Sequence, residues 1–335
     1  MADAGPRVLV AGASGFAGAL AARLVERHPR FVLGPVTSRS DAGTSLDVLY
    51  PHHRVGRELE VLDLDRHGDV DAAIVAYPHG ASAPVVAELL GRGVKVVDLS
   101  ADFRLRDLAV YEEYYVPHPH PELLGDAVYG LPELYRDALR GTSLVAGPGC
   151  YPTAAILTLA PLARAGLLDD VVIDAKSGVS GAGRAATAKT HFVSVDENVS
   201  PYGVGTHRHA PEIDQELGAL GAPVTVTFTP HLVPLDQGEL VSCYVRVAGD
   251  AEPGDIVALY EQAYAGEPFV ELSSRPPGVR DVRETNVCRI HVTIDPRSRK
   301  VLAFGAIDNL WKGTSSQAVQ SLNLMFGFGE TEGLA

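Results

Sequence analysis

The chain has 335 residues, 46% of them hydrophobic and 21% charged, and its 28 Lys and Arg against 42 Asp and Glu leave a net charge of -14. This composition excludes a disordered chain, and the length predicts two domains that each bury a core. The acidic balance argues against nucleic acid or an anionic membrane as a partner, because both would repel the protein. Any phosphate-binding site must therefore be local.

The cysteines and the apolar runs indicate the cellular compartment of the protein. Cys150, Cys243 and Cys288 form no CxxC pair, so neither a disulfide framework nor a zinc site is predicted. The amino-terminal segment has no basic stretch followed by an apolar one, and no apolar run reaches about 18 residues. These features predict a cytoplasmic protein without a membrane span.

Strands and helices alternate through the first part of the chain. Short apolar runs predict strands and helical spacing predicts helices. The predicted strands are 7–11, 32–37, 71–76, 94–98 and 144–146, and the predicted helices are 16–27 and 83–90. This order is typical of an α/β fold with a doubly wound, Rossmann-type parallel sheet covered on both faces.

The pattern changes after a predicted helix at 152–164. Five β-rich runs follow with few helices between them, at 171–176, 224–230, 240–247, 286–294 and 300–306, and a terminal helix is predicted at 314–326. Such a series predicts a second, α+β domain on a mostly antiparallel sheet.

A glycine-rich turn joins the first predicted strand to the first predicted helix. Gly12, Gly15 and Gly18 have the spacing GxxGxxG, and Phe16 opens the helix. Glycines at this place let backbone N–H groups approach a pyrophosphate at a helix N-terminus, where Ser14 could add a hydroxyl. We therefore predict a dinucleotide site at these five residues. A tight turn that binds no ligand is the alternative.

The end of the second predicted strand indicates which dinucleotide is bound. Ser38, Arg39 and Ser40 stand where an acidic residue would bind the ribose of NAD, and no carboxylate appears before Asp41. A cation and hydroxyls suit a 2′-phosphate, so the cofactor is predicted to be NADP, held by Ser38 and Arg39. A solvated loop arginine is the alternative.

Cys150 is the candidate nucleophile. It lies between Gly149 and Tyr151 at the start of a predicted helix, where the helix N-terminus stabilises a thiolate. Cys243 and Cys288 lie in apolar β-rich runs and are expected to be buried without a chemical role.

Seven motifs together resemble those of a known family. They are GASGFAG at the amino terminus, SADFRL at 100–105, GLPEL at 130–134, PGCYPT at 148–153, SGAGRAA at 180–186, THRHAPEI at 206–213 and AIDNLWKGTSSQAVQ near the carboxyl terminus. In this order they look like N-acetyl-γ-glutamyl-phosphate reductases of arginine biosynthesis, within the semialdehyde dehydrogenase family. The resemblance covers nearly the whole chain.

The resemblance implies a reaction and a division of the chain. Cys150 would attack an acyl phosphate, phosphate would leave, and NADPH would reduce the thioester to a semialdehyde. The NADP-binding domain would comprise 1–149 and a carboxyl-terminal helix at about 309–335, with catalysis and dimerisation in 150–308. A small-molecule acyl phosphate is the expected substrate, and a homodimer or homotetramer is the expected assembly.

The sequence leaves two alternative functions possible. One is a reductase of a carrier-linked α-aminoadipyl phosphate in lysine biosynthesis. Its carrier is acidic, so the net charge of -14 favours a free substrate. The other is a non-catalytic NADP-binding sensor, which would not need Cys150 or the SGAGR segment.

Histidines are the candidates for proton transfer near neutral pH. His207 and His209 lie in the THRHAPEI motif, and in an extended segment both would face the same side. We favour His207 as the base and give His209 a binding or second-base role. Metal binding by the pair is not expected, because no further ligand stands at suitable spacing. His118 and His120 alternate with prolines, which predicts a surface loop.

Substrate donors are predicted in two segments. Ser180, Gly181 and Arg184 belong to a glycine-rich segment that follows a strand and could wrap an anion. Arg104 follows another strand end, and an ion pair with Asp102 or Asp107 is its alternative role. The resemblance implies that Asn309, followed by Lys312, returns to the nicotinamide.

Overall fold

A computed structural model describes residues 5–247 and 252–334. The first four residues of the segment inspected for an export signal, and the last residue of the predicted 309–335 segment, lie outside this description. The described residues divide into two compact units, one within 1–148 and 314–335 and one within 149–313. Among the described helices, none combines the length and apolar character needed to cross a membrane.

The elements of the first 148 residues, in chain order, are β1 (Arg7–Ala11), α1 (Phe16–Glu26), β2 (Val32–Thr37), α2 (Leu46–Leu49), α3 (Leu64–His67), β3 (Ala72–Val75), α4 (Ala83–Gly91), β4 (Lys95–Asp98), α5 (Leu108–Tyr114), β5 (Val128–Tyr129), α6 (Pro132–Gly141) and β6 (Leu144–Ala146).

The remaining elements are α7 (Cys150–Arg164), β7 (Leu168–Ser177), α8 (Phe192–Val195), β8 (Ser200–Pro201), α9 (Ala210–Leu220), β9 (Thr227–Leu232), β10 (Glu239–Val247), α10 (Pro253–Ala263), β11 (Val270–Leu272), β12 (Cys288–Ile294), β13 (Val301–Ile307) and α11 (Ser316–Met325).

The first unit is built on a six-stranded sheet with the order β2-β1-β3-β4-β6-β5. Every pairing in it is parallel. All four residues of β3 are buried, as expected when both faces of a parallel sheet are covered. The predicted doubly wound sheet is confirmed, and its first strand delivers the glycine turn to the edge where such sheets bind ligands.

The second unit is built on a seven-stranded sheet with the order β11-β12-β13-β10-β7-β9-β8. Four of its six pairings are antiparallel, which confirms the mostly antiparallel sheet. Helix α7 is buried along nearly its whole length and packs against β10, β13 and α9. This packing holds the helix whose first residue is Cys150.

Several expected bounds differ from the structure. The strand predicted at 224–230 forms later, over Thr227–Leu232, and the helix predicted from 152 begins at Cys150. Helices α9 and α10 were not predicted. Each begins with a proline in its first turn, which the helix tolerates because the first amides have no helical partner.

Candidate active site

The glycine turn has the geometry of a backbone cradle. Gly12 has a φ of 83°, and a Cβ there would collide with the carbonyl oxygen of Ala76. A Cβ at Gly18 would collide with the carbonyl oxygen of Gly12, whereas a Cβ at Gly15 would lie at an ordinary contact distance of 3.6 Å from that oxygen. No side chain caps the N-terminus of α1. The first amides of the helix are therefore available to a phosphate group.

Two hydroxyls lie beside this cradle. The Oγ atoms of Ser14 and Ser38 are 2.7 Å apart, and the backbone N–H of Asp41 donates to Ser38 Oγ at 3.2 Å. Ser40 Oγ donates to the Asp41 carboxylate at 2.6 Å. Arg39 is exposed and borders a cavity of about 400 Å³ that Tyr77 and Val85 also line. The residues predicted to hold the dinucleotide therefore belong to the first unit, with the exception of Asn309.

Cys150 is the first residue of α7, behind the N-cap residue Gly149. It is half-buried, whereas Cys243 and Cys288 are buried. Burial raises the pKa of the Cys243 thiol well above its usual range. Cys150 instead lies at a helix N-terminus, where backbone amides can stabilise a thiolate. The structure thus separates one accessible cysteine from two buried ones.

Two glycines beside Cys150, Gly149 and Gly313, have no space for a side chain. A Cβ at Gly149 would lie 2.6 Å from His209 Nε2, and a Cβ at Gly313 would lie 2.9 Å from the Cys150 Cβ. The imidazole of His209 therefore lies directly against the residue before the nucleophile.

His207 and His209 do not lie on an extended segment. They form a turn before α9, and His209 is the N-cap residue of that helix with αR backbone angles. Their rings nevertheless lie 4.8 Å apart between centroids, and each contacts Tyr151. The premise of alternation was wrong, and the turn brings the two rings together instead.

The hydrogen bonding of His207 restricts its chemistry. The backbone N–H of His209 donates to His207 Nδ1 at 3.2 Å, so the proton of a neutral His207 ring is on Nε2. Burial lowers the pKa of His207 to about 4. A ring in this state donates from Nε2 and has no free nitrogen to accept a proton. This geometry argues against His207 as the base.

Three polar residues of this site were not found from sequence. Glu212 on α9 accepts the Gly149 N–H at 2.9 Å, Tyr202 donates to the Tyr151 hydroxyl at 3.1 Å, and Glu239 opens β10 fully buried. Glu212 could have been noticed, because it stands three residues after His209 at the start of a helix. Nothing local distinguishes Glu239 from any charged residue at a strand end.

The predicted substrate segment is partly built into the second unit. Ser180 is buried, and its Oγ accepts a hydrogen bond from Asn309 Nδ2 at 3.1 Å. Asn309 Oδ1 in turn accepts the Gly238 N–H at 2.7 Å. Gly181 and Arg184 are exposed. The structure therefore places Asn309 with Ser180, and Lys312 is buried with its Nζ 5.6 Å from the Phe269 ring centroid.

Arg104 lies in the first unit and is 6% exposed. It donates to the carbonyl oxygens of Gly147 at 2.7 Å and Leu99 at 2.9 Å. Asp102 instead accepts the N–H groups of Gly80 and Ala83 and the Tyr111 hydroxyl, and Asp107 caps α5. The alternative role of Arg104 was an ion pair with Asp102 or Asp107. Both carboxylates instead accept hydrogen bonds from other groups.

The histidine pair at 118 and 120 is only partly the expected surface loop. His120 pairs with Glu122 near solvent, but His118 is 7% exposed and packs against Phe103 and Tyr111. The prediction was wrong for His118, because its aromatic neighbours cover the ring. Within the described residues, no group of three or more His, Cys, Asp or Glu has metal-binding geometry.

The comparisons with known proteins match both units. Residues 7–142 match the semialdehyde dehydrogenase NAD binding domain, and residues 150–309 match the semialdehyde dehydrogenase dimerisation domain. An N-acetyl-γ-glutamyl-phosphate reductase of Desulforudis audaxviator is 52% identical over 98% of this chain and 97% of its own. One of Moorella thermoacetica is 47% identical over 97% of this chain and 96% of its own.

Solved structures share the fold at low identity. Aspartate semialdehyde dehydrogenase II of Vibrio cholerae aligns with a TM-score of 0.73 and 19% identity, over 97% of this chain and 99% of its own. The enzyme of Candida albicans, solved with NADP, aligns with a TM-score of 0.72 and 13% identity, over 96% of this chain and 98% of its own. Domain models, full-length relatives and fold agree, and the chain belongs to the semialdehyde dehydrogenase family.

Proposed function

We propose that this protein reduces N-acetyl-γ-glutamyl phosphate with NADPH to N-acetylglutamate semialdehyde, releasing phosphate through a thioester on Cys150. The observation that supports this most is the half-buried thiol at the N-terminus of α7, beside His209, in a chain whose full-length relatives carry that name. The thiol supplies a nucleophile that a binding protein would not need.

Covalent capture makes the reduction easier. The Cys150 thiolate attacks the acyl carbon, a C–S bond forms, the C–O bond to phosphate breaks, and phosphate leaves with the electron pair. The thioester is a better hydride acceptor than a carboxylate. NADPH supplies that hydride when it is bound. Collapse of the resulting oxyanion then breaks the C–S bond and returns the thiolate.

The two histidines receive different roles. His209 lies against Gly149 and is the group that we assign to protonating the leaving phosphate. His207 stays neutral and holds its neighbour through Nδ1, with Nε2–H available to a substrate oxygen. This assignment reverses the one that we favoured from sequence.

The first unit contains residues that fit a dinucleotide phosphate. The amides at the start of α1, with Gly12, Gly15, Phe16 and Gly18, would hold the pyrophosphate. The hydroxyls of Ser14 and Ser38 lie together next to it, and Arg39 is exposed to meet a 2′-phosphate. This donor set fits NADPH.

The substrate would be held by Ser180, Gly181 and Arg184 of the second unit, and Asn309 orients Ser180. A substrate role of Arg104, in the first unit, stays a prediction. A role of Asn309 at the cofactor stays a prediction. We also propose that cofactor binding belongs to 1–149 with 309–335, that catalysis and dimerisation belong to 150–308, and that the protein works in the cytoplasm as a homodimer or homotetramer.

The test is a steady-state assay in the oxidative direction with phosphate, NADP and N-acetylglutamate semialdehyde. The proposal expects NADPH formation that depends on phosphate. An enzyme active only on the carrier-linked α-aminoadipyl semialdehyde would overturn the substrate, and NADP binding without turnover of either would indicate a sensor.

A further inference from the structure

Tyr50 is a buried tyrosine that the cofactor site described above does not include. It follows α2 directly and is 7% exposed, and its ring stacks on His53 and forms a T-shaped contact with Phe16. Its hydroxyl donates to the backbone carbonyl oxygen of Ser14 at 2.7 Å, across 36 positions of the chain. A side chain from outside the glycine turn therefore holds one of the backbone groups of that turn.

The hydrogen bond fixes a single peptide group. The carbonyl of Ser14 and the N–H of Gly15 belong to the same planar unit and point in opposite directions. The carbonyl oxygen accepts the Tyr50 hydroxyl, and the N–H donates to the Gly12 carbonyl oxygen at 3.2 Å. The Ser14–Gly15 peptide is therefore held from both sides, on one side by the glycine turn and on the other by Tyr50.

Glycine at position 15 makes this peptide group easy to rotate. Rotation of a peptide group changes ψ of the residue before it and φ of the residue after it, which are here Ser14 and Gly15. Gly15 has a φ of -76°, but a glycine adopts positive φ about as readily as negative φ. The backbone itself therefore does not select the observed orientation, and the hydrogen bonds must do so.

The orientation of this peptide decides what the turn offers to an anion. In the observed orientation the Ser14 carbonyl oxygen is occupied by Tyr50, and α1 begins at the next residue but one, with first amides that have no helical acceptor. A rotated peptide would lose the Gly15–Gly12 hydrogen bond and bring a second carbonyl oxygen towards that of Gly12. Two partial negative charges would then face the place where an anion has to bind.

We propose that Tyr50 is a positioning residue of the cofactor site, whose hydroxyl holds the Ser14–Gly15 peptide in the orientation that accepts a pyrophosphate. This inference rests on the proposed function, because that function supplies NADPH as the ligand. The ring of Tyr50 contributes packing and its hydroxyl contributes the orientation. Without the hydroxyl, a smaller fraction of the protein has a competent turn, and the apparent affinity falls by that fraction.

The first test measures binding without substrate. NADPH and NADH are titrated into the wild type and Tyr50→Phe, and the nicotinamide fluorescence is followed. Phenylalanine keeps the ring and removes only the hydroxyl, so Kd should rise about fivefold, as expected for loss of one ordinary hydrogen bond. The rise should be equal for both dinucleotides, because both carry the pyrophosphate. An unchanged Kd, or a rise confined to NADPH, would overturn the proposal.

A matched control separates positioning from general stability. Tyr260 on α10 is 0% exposed, and its hydroxyl donates to the Thr158 carbonyl oxygen at 2.7 Å, the same acceptor type and distance as for Tyr50. Tyr260→Phe removes this equivalent hydrogen bond from the second unit. Both substitutions should lower Tm by comparable amounts, but only Tyr50→Phe should weaken dinucleotide binding. An equal loss of binding in the two variants would overturn the positioning role.

A second measurement follows the turn directly. Hydrogen exchange of the unliganded protein, read by mass spectrometry on peptides covering 12–20, should be about fivefold faster in Tyr50→Phe and unchanged in Tyr260→Phe. Exchange at the wild-type rate in Tyr50→Phe would overturn the proposal. In the reductase assay KM for NADPH should rise with little change in kcat. A wild-type protein that binds NADPH without turnover would count against the proposed function and leave the role of Tyr50 intact.

Discussion

The glycine turn of the first unit and the surroundings of Cys150 in the second unit are assembled over different distances along the chain. The hydroxyls of Ser14 and Ser38 meet across 24 positions, within one strand-helix-strand unit. The Gly149 N–H reaches Glu212 across 63 positions, and Gly313, where a Cβ would lie 2.9 Å from the Cys150 Cβ, comes from still further along. The candidate cofactor site is therefore assembled mostly from neighbouring elements, whereas the surroundings of Cys150 depend on the packing of a whole sheet and two helices.

The largest effect is expected from a substitution that separates NADP binding from the covalent chemistry at Cys150. Cys150→Ser should keep NADP binding and lose nearly all turnover, because a hydroxyl ionises far less readily than a thiol. Steady-state rates and NADP titration measure the two properties. Turnover within about tenfold of the wild type would contradict covalent catalysis.

The next largest effect is expected within the second unit, where it distinguishes the roles of His209 and His207. His209→Asn should lower turnover by about a hundredfold or more, because acid-base catalysis commonly contributes 10² to 10⁴. His207→Asn should act mainly on KM, since an amide can still donate a hydrogen bond. A loss of turnover confined to His207→Asn would restore the assignment made from sequence.

The share of each candidate site that could be predicted from sequence differs between these two regions. The glycine turn, the Ser38 and Arg39 segment and Cys150 could all be proposed from sequence, because each is marked by a strand end or a helix start. Glu239 was missed because its burial arises only when β10 and α7 pack together.

The histidines show an intermediate case. The motif singled out two histidines whose rings the structure brings together, but the assumed extended backbone was wrong, and the tautomer of His207 follows from a backbone hydrogen bond that no pattern reveals. The fold class could be predicted because strand-like and helix-like hydrophobic patterns alternate along the first part of the sequence. Helices α9 and α10 were missed because they lie between β-rich runs.

A smaller effect is expected in the first unit. Arg39→Ala should raise KM for NADPH and leave that for NADH nearly unchanged, because only NADPH carries a 2′-phosphate. Loss of a charge-assisted contact costs about 1.5 to 3 kcal/mol, or about ten- to a hundredfold. Equal effects on both cofactors would give Arg39 a structural role.

The smallest effect concerns stability against pH. His207 has a folded-state pKa lowered to about 4 from an ordinary 6.5, so the unfolded chain binds its proton first as pH falls. This residue should therefore destabilise the fold progressively between about pH 6.5 and 4. Thermal unfolding of His207→Asn should depend less on pH in that window than unfolding of the wild type. Equal slopes would show that the ring titrates alike in both states.

The central claim is that the acyl group is carried on Cys150. The most direct measurement mixes the wild-type protein with N-acetyl-γ-glutamyl phosphate without NADPH, quenches in acid, and follows phosphate release and peptide masses. We predict about one phosphate per active site in a rapid burst and an acyl adduct on the Cys150 peptide. Phosphate release without any adduct on Cys150, or an adduct on another residue, would contradict the account.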